Sequence, residues 1–280
     1  MAEAETTISR GLIWLRALTG GEGTVAGGPA SVRYAEAPLG DGPACFLAVV
    51  PDAGGRFPRA RHGEVGLLEA WTLAKLVGDV VAADEGRVRR PIVAVVDVRG
   101  QAYGRLEELL GIHQACAAAV DAYASARLAG HPLIALLVGR AMSGAFLAHG
   151  YQANRILALE DPGVLVHAMG KQAAARVTRR SVAELEELGN TVLPMSYDIR
   201  NLSRLGLVHR LISGIDPGVP SAADVARVAT ELAVAVAEVR AGGGGLDLRL
   251  ENDAARKTRA ASLEVRRRMA EQWAGDGAGA

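Results

Sequence analysis

The chain has 280 residues, half of them apolar and 22% charged, which is enough to bury a sizeable core in one large α/β unit. Lysine plus arginine equals aspartate plus glutamate at 31 each, so no excess positive charge draws nucleic acid, and the balance speaks against a DNA or RNA binder. The two distant cysteines, Cys45 and Cys116, have no Cys/His spacing around them, which argues against a disulfide framework or a zinc site and fits a reducing cytoplasm.

The first twenty residues open with acidic side chains, and Arg10 and Arg16 interrupt their apolar positions. That pattern is wrong for a signal peptide and predicts a short amphipathic helix. "ACFLAVVPDAGG", "PIVAVVDVRG" and "PLIALLVGR" are continuous apolar runs closed by Pro or Gly and predict buried strands. None approaches the ~20 residues of a membrane-spanning helix, so a soluble, cytoplasmic protein is expected. A helix is expected at roughly 63–84.

Between the second and third runs, Leu106, Leu109, His113, Cys116, Val120 and Tyr123 step by three and four, as one helical face does, and Gly130 closes that helix. Strand, helix and strand together predict a parallel βαβ unit with both sheet faces covered. "NRILALED" and "GVLVHAM" predict two more strands, and 171–177 and 181–189 two short helices. Ser221 and Asp224 stand at capping-box spacing before a helix whose stripe is Val225, Val228, Leu232, Val236 and Val239. Glycines 242 to 245 then link to a basic helical segment with Arg256, Lys257, Arg259, Arg266, Arg267 and Arg268. The expected division is a main unit over 1–240 and a Gly-linked basic helix and tail over 241–280.

Two turns carry the candidate chemistry. In "GRAMSGAFLAHGYQ", Ser143 has Ala141 and Ala145 where a nucleophile elbow requires glycines, so the elbow spacing fails. Ser143 is otherwise expected to cap a helix beginning at Gly144. A third reading makes the turn an oxyanion site, in which backbone N–H groups of Ser143 and Gly144 meet developing negative charge. "DVRGQAYG" places Gly100 and Gly104 at the carboxyl end of the preceding strand, the edge where open α/β sheets bind ligands; an ordinary glycine loop is the alternative.

His113 reads as a packed core histidine, whereas His149, Tyr151 and His167 lie near the turns and are the candidate proton donors. Lys171, Arg176, Arg179 and Arg180 surround a short helix after Gly170 and either meet phosphate or form a solvated basic face. Met142 reads as packing.

The segments "GIHQACAAAVDAYASARLAGHP", "RAMSGAFLAHGYQANRILAL" and "VHAMGKQAAARVT" resemble the carboxyltransferase branch of the crotonase-like superfamily, and within it the gamma subunits of biotin-independent malonate decarboxylases. The resemblance runs from about residue 40 to residue 215. It implies a crotonase-like (ClpP/crotonase) fold of ββα units in a superhelix, a single domain with flanking helices. It also implies an active site shared with a beta subunit, and decarboxylation of a malonyl thioester to an acetyl thioester and CO2.

The acyl group would ride on the coenzyme-A-derived phosphopantetheine arm of an acyl-carrier subunit, recharged by an alpha transferase subunit, with neither biotin nor metal. The family turn D-T-P-G-A-Y-P-G maps onto Asp97 to Gly104, where Arg99 replaces the proline. G-E-G-G-S-G-G maps onto Gly139 to Ala145, where Arg140, Ala141, Met142 and Ala145 depart. The residues implied are the backbones of Gly100, Gly104, Ser143 and Gly144 for catalysis, Gln101, Tyr103 and Met142 for substrate, and Lys171 and Arg176 for the cofactor arm. The basic C-terminal helix would dock an acidic carrier or lay Leu263, Met269 and Trp273 against a neighbouring subunit. The competing functions are a crotonase-type acyl-CoA hydratase or isomerase using Glu107 or Glu108 as base, and a non-catalytic scaffold subunit.

Overall fold

The structure is a computed structural model that describes residues 9–242 and 245–276. Its centre is one seven-stranded sheet: β1 (Val32–Leu39), β2 (Gly42–Val49), β3 (Ile92–Val98), β4 (Leu133–Met142), β5 (Arg155–Leu159), β6 (Val166–His167) and β7 (Arg210–Ile212). The order is β1-β2-β3-β4-β5-β7, with β6 paired to the end of β4. Only the β1–β2 hairpin is antiparallel; the other pairings are parallel. β2 to β5 are buried residue after residue, which is what covering both faces requires and why they read as unbroken apolar runs.

One layer consists of α1 (Arg10–Thr19) and α9 (Ala222–Gly242), which touch each other and the sheet. The other holds α2 (Leu67–Ala83), α4 (Ile112–Leu128) and α5 (Ser143–Ala148). Trp14 of α1 is fully buried and its indole N–H donates to the Pro217 carbonyl at 3.1 Å, tying the amino end to the loop before α9. The capping box holds as expected: Ser221 Oγ accepts from Asp224 N–H (3.2 Å) and Asp224 Oδ2 from Ser221 N–H (2.9 Å).

The expected helix between β3 and β4 is two helices. α3 (Arg105–Leu109) stops before Gly111, whose φ of +81° is open to glycine at little cost, and α4 starts in a new direction. The buried face of α4 is Ile112, Ala115, Ala119, Tyr123 and Ala126, so His113 is exposed and not a core histidine, and Leu106 and Leu109 point to solvent. The strand expected over 163–169 shortens to Val166–His167.

The expected short helices are α6 (Lys171–Thr178) and α7 (Val182–Thr191), followed by α8 (Ile199–Arg204). Beyond the glycines come α10 (Leu248–Glu251), α11 (Asp253–Thr258) and α12 (Ala260–Asp276). The fully buried Ala255 packs them against the body, and two hydrogen bonds tie them to it: Asn252 Nδ2 donates to the Gly206 carbonyl at 3.0 Å, and Thr258 Oγ1 to that of Arg204 at 2.9 Å.

Candidate active site

The carboxyl ends of β3 and β4 build the site. Their register shifts between Val96 and Val98, a bulge that opens the strands where Asp97 sits. The Asp97 carboxylate accepts from Arg140 N–H (3.0 Å) and Gly11 N–H (3.4 Å), so one side chain joins both strand ends to α1. Gly139 has to be glycine, because a Cβ there would overlap that carboxylate.

Past this brace the two turns meet. Gly144 N–H donates to Gln101 Oε1 at 2.9 Å, across 43 residues of sequence. Gly100, at φ +148°, has Ser143 Cβ as the nearest atom to where its own Cβ would stand, 3.9 Å away. The first turn is anchored from behind, where Val65 N–H donates to the Gly100 carbonyl (3.0 Å) and Ala102 N–H to that of Val65 (2.8 Å). Gly104 is extended, and a Cβ would stand 2.5 Å from Arg59 Nε and 2.8 Å from Glu107 Oε2, so both side chains would have to shift to admit one.

Three expectations change here. Ser143 does not cap α5 with its side chain: it is the first helical residue, at φ +58°, and its hydroxyl donates to the Ala168 carbonyl at 2.7 Å. With its proton committed to a backbone oxygen and no histidine bonded to it, it is no activated nucleophile. The Gly144 N–H is not an open donor either, because Gln101 occupies it. The network fixes the Gln101 amide: its oxygen must face the Gly144 N–H, so Nε2 carries the two donors, and these make no hydrogen bond within the described residues. Ser143→Ala in the assembled enzyme is therefore expected to change turnover less than about tenfold, where loss of a true nucleophile costs orders of magnitude more, as steady-state kinetics would register.

His149 is the third correction. It is completely buried: its Nε2–H donates to the Val95 carbonyl (3.2 Å) and its Nδ1 accepts from the Tyr123 hydroxyl (3.0 Å). Desolvation lowers its pKa to about 4, so it is a neutral buried strut and no proton donor. His167 does reach the site. It stacks on Tyr197 with ring centroids 4.0 Å apart, lies beside Met169 N–H (3.3 Å to Nδ1), and is held neutral by burial. Nδ1 also lies 3.2 Å from the Met169 carbonyl, so the ring proton is on Nδ1 when it donates there and on Nε2 when Nδ1 accepts the N–H.

His167, Ser143, Gly144, Phe146, Leu147 and Met195 help line an apolar cavity of about 510 Å³ that opens beside the second turn. Tyr151, the remaining candidate, also lines it, with Arg249 stacked 5.1 Å from its ring. Met142 is buried at the end of β4, and Tyr103 is exposed at the rim. Lys171 Nζ is committed to Glu186 (2.6 Å) and lies 5.5 Å over the Tyr197 ring; Arg176 is exposed on α6 and makes no polar contact with the turns among the described residues. No cluster of three or more His, Cys, Asp or Glu suited to a metal occurs among the described residues, and no described helix is long and apolar enough to cross a membrane.

The profile of the malonate decarboxylase gamma subunit matches residues 60–273. The chain belongs to that family. It is 57% identical to a chain in the crystal structure of a Pseudomonas malonate decarboxylase hetero-tetramer in complex with coenzyme A, over 95% of this chain and all of the other, with a TM-score of 0.90. Another hetero-tetramer from Pseudomonas, in complex with malonate, gives 55% identity over 95% of this chain and all of the other, with a TM-score of 0.87.

The malonyl-S-ACP:biotin-protein carboxyltransferase MADD of Malonomonas rubra is 37% identical over 165 residues, 58% of this chain and 56% of that relative, so the match spans little more than half its length. Transcarboxylase 12S, at 22% identity and a TM-score of 0.56 over 75% of this chain and 37% of the other, shares the fold alone. The fold is thus the crotonase-like one of the carboxyltransferases, as the gamma-subunit segments implied.

Proposed function

We propose that this chain and a beta subunit together decarboxylate a malonyl thioester to an acetyl thioester and CO2. The observation that carries this is the Gln101–Gly144 bond: in a member of the gamma-subunit family it draws two ligand-edge turns together beside an apolar cavity. Breaking the bond between the carboxylate carbon and the methylene carbon releases CO2 and leaves its electron pair as an enolate, whose oxygen requires fixed donors. Gln101 Nε2 is the free donor this chain contributes, held in place because Gly144 N–H grips the other end of its amide. The enolate carbon then takes a proton from water admitted to the cavity; His167, held neutral by burial, lines that cavity and is no acid for the step.

Support for a site completed by a partner comes from the rim: Tyr103, Leu106, Leu109 and Leu110 are all more than half exposed in one stretch beside the first turn. The cavity is of a size and polarity that suit a phosphopantetheine arm, which would bring the acyl group on a carrier subunit, recharged by an alpha transferase subunit. Lys171, tied to Glu186, fits that arm less well than the cavity lining does. The departures at Arg140, Ala141, Met142 and Ala145 from the carboxyltransferase turn support a reaction without biotin, so turnover should be unaffected by avidin.

The C-terminal helix is a weaker carrier dock than its sequence suggested, because Glu264 pairs with both Arg267 and Arg268. The test is CO2 release from malonyl thioester by this chain, by its beta partner, and by the two mixed. Activity is expected only in the mixture. Full activity of the partner alone would make this chain a scaffold.

A further inference from the structure

On the opposite edge of the sheet from the turns, at the start of β5, lies a second cavity of about 350 Å³ between the α8–β7 loop and α10–α11. Arg155, Ser203, His209, Arg249 and Asn252 help line it. Arg155 is 97% buried, yet its Nε–H makes no hydrogen bond among the described residues, and the same holds for the Nε–H of Arg249. Arg155 spends another donor on the Asn154 carbonyl (3.0 Å), and Arg249 spends its own on the carbonyls of Tyr151 (2.8 Å) and Ala153. Arg155 shares its one carboxylate, and Arg249 has no carboxylate partner among the described residues. Glu238 stands 4.0 Å from Arg155 Nε but is bonded to His209 at 2.6 Å and paired with Arg210 at 3.5 Å.

A buried cation without a counter-charge is costly. Here the buried Arg155 has only a shared carboxylate and the half-buried Arg249 has none among the described residues; the two repel each other, and Arg127 adds to the repulsion felt by Arg249, whose pKa burial and these charges lower to about 10. The arrangement is short of one anion.

We propose that this cavity is an oxyanion site, in which a phosphate or carboxylate group binds the guanidinium groups of Arg155 and Arg249. Arginine is suited to this because its planar fork matches two oxygens of such a group at once. Arg155 belongs to the sheet and Arg249 to the segment after the glycine link, so the bound anion joins the C-terminal helices to the body.

The test is calorimetric titration and thermal unfolding of the full chain with inorganic phosphate and, separately, malonate, at ionic strength held constant with chloride. The expected result is saturable binding of at least one of them, with a matching rise in Tm that chloride does not give. Binding of phosphate alone assigns the site to a phosphate-bearing ligand, and binding of malonate alone to a dicarboxylate. Arg249→Gln is expected to abolish the effect. Arg249→Lys, which keeps the charge and the fold but loses the fork, is expected to weaken binding about tenfold or more. No saturable binding of either anion, or binding unchanged in Arg249→Lys and in Arg155→Gln, would overturn the assignment.

Discussion

In the assembled enzyme, Gln101→Glu is expected to lower kcat for CO2 release about a hundredfold or more, with little change in the unfolding temperature. The new side chain has the same shape, and a carboxylate oxygen accepts the Gly144 N–H at least as well as the amide oxygen does, so the link between the turns survives. What disappears is the Nε2 donor pair, replaced by negative charge facing the place where the enolate forms. Removing one such donor from an acyl-transfer site costs roughly 2.7–4 kcal/mol of transition-state stabilisation, which sets the size of the effect. Gln101→Ala separates the roles: it frees the Gly144 N–H to act as donor itself, so its loss of activity should be smaller than that of the glutamate variant. Wild-type turnover by Gln101→Glu would reduce Gln101 to a brace and move the enolate donors to the partner subunit.

Gly144→Ala acts on the same contact from the other side, because its Cβ would stand 3.1 Å from Gln101 Oε1 and 3.2 Å from Cδ.

That contact was hidden in the sequence although both turns were legible. Gly100, Gly104 and Gly144 each follow an apolar run, which marks the ligand edge of a parallel sheet, but nothing local relates position 101 to position 144. β2 to β5 were legible for a simple reason: strands buried on both faces leave no polar interruption. β1 was missed because it lies at the sheet edge, where Arg33, Tyr34, Ala35 and Glu36 in succession reach water and dilute the apolar signal.

The error at α4 has a different cause. Alanine populates its buried and exposed sides alike, so the large residues misled except at Tyr123: the true face also holds Ile112 and, between and beyond these, Ala115, Ala119 and Ala126, whose small side chains leave room for α2. The histidines could not be sorted by position. His149 and His167 both follow the second turn, and only the three-dimensional packing puts one under Tyr123 and the other beside the cavity.

The burial of His149 has a consequence for acid stability. In the folded chain its pKa is about 4, against about 6.5 for an unperturbed imidazole. The folded state therefore holds fewer protons than the unfolded one between these values, and stability rises with pH across that window. The contribution is fully present above about pH 6.5 and is lost as the pH falls through 4, an effect on the order of 3 kcal/mol for this one group. Protonation would also cost Nδ1 its acceptor role, leaving two N–H groups to face the Val95 carbonyl and the Tyr123 oxygen in a fully buried site. In His149→Gln the side-chain amide can still donate to the Val95 carbonyl and accept from Tyr123, but it does not titrate. Thermal unfolding followed from pH 7.5 to 4.5 should show the wild-type chain losing stability more steeply than this variant below pH 6. Parallel acid limbs in the two proteins would mean that His149 reaches protons without unfolding, and that the Tyr123–His149–Val95 chain is looser than its geometry indicates.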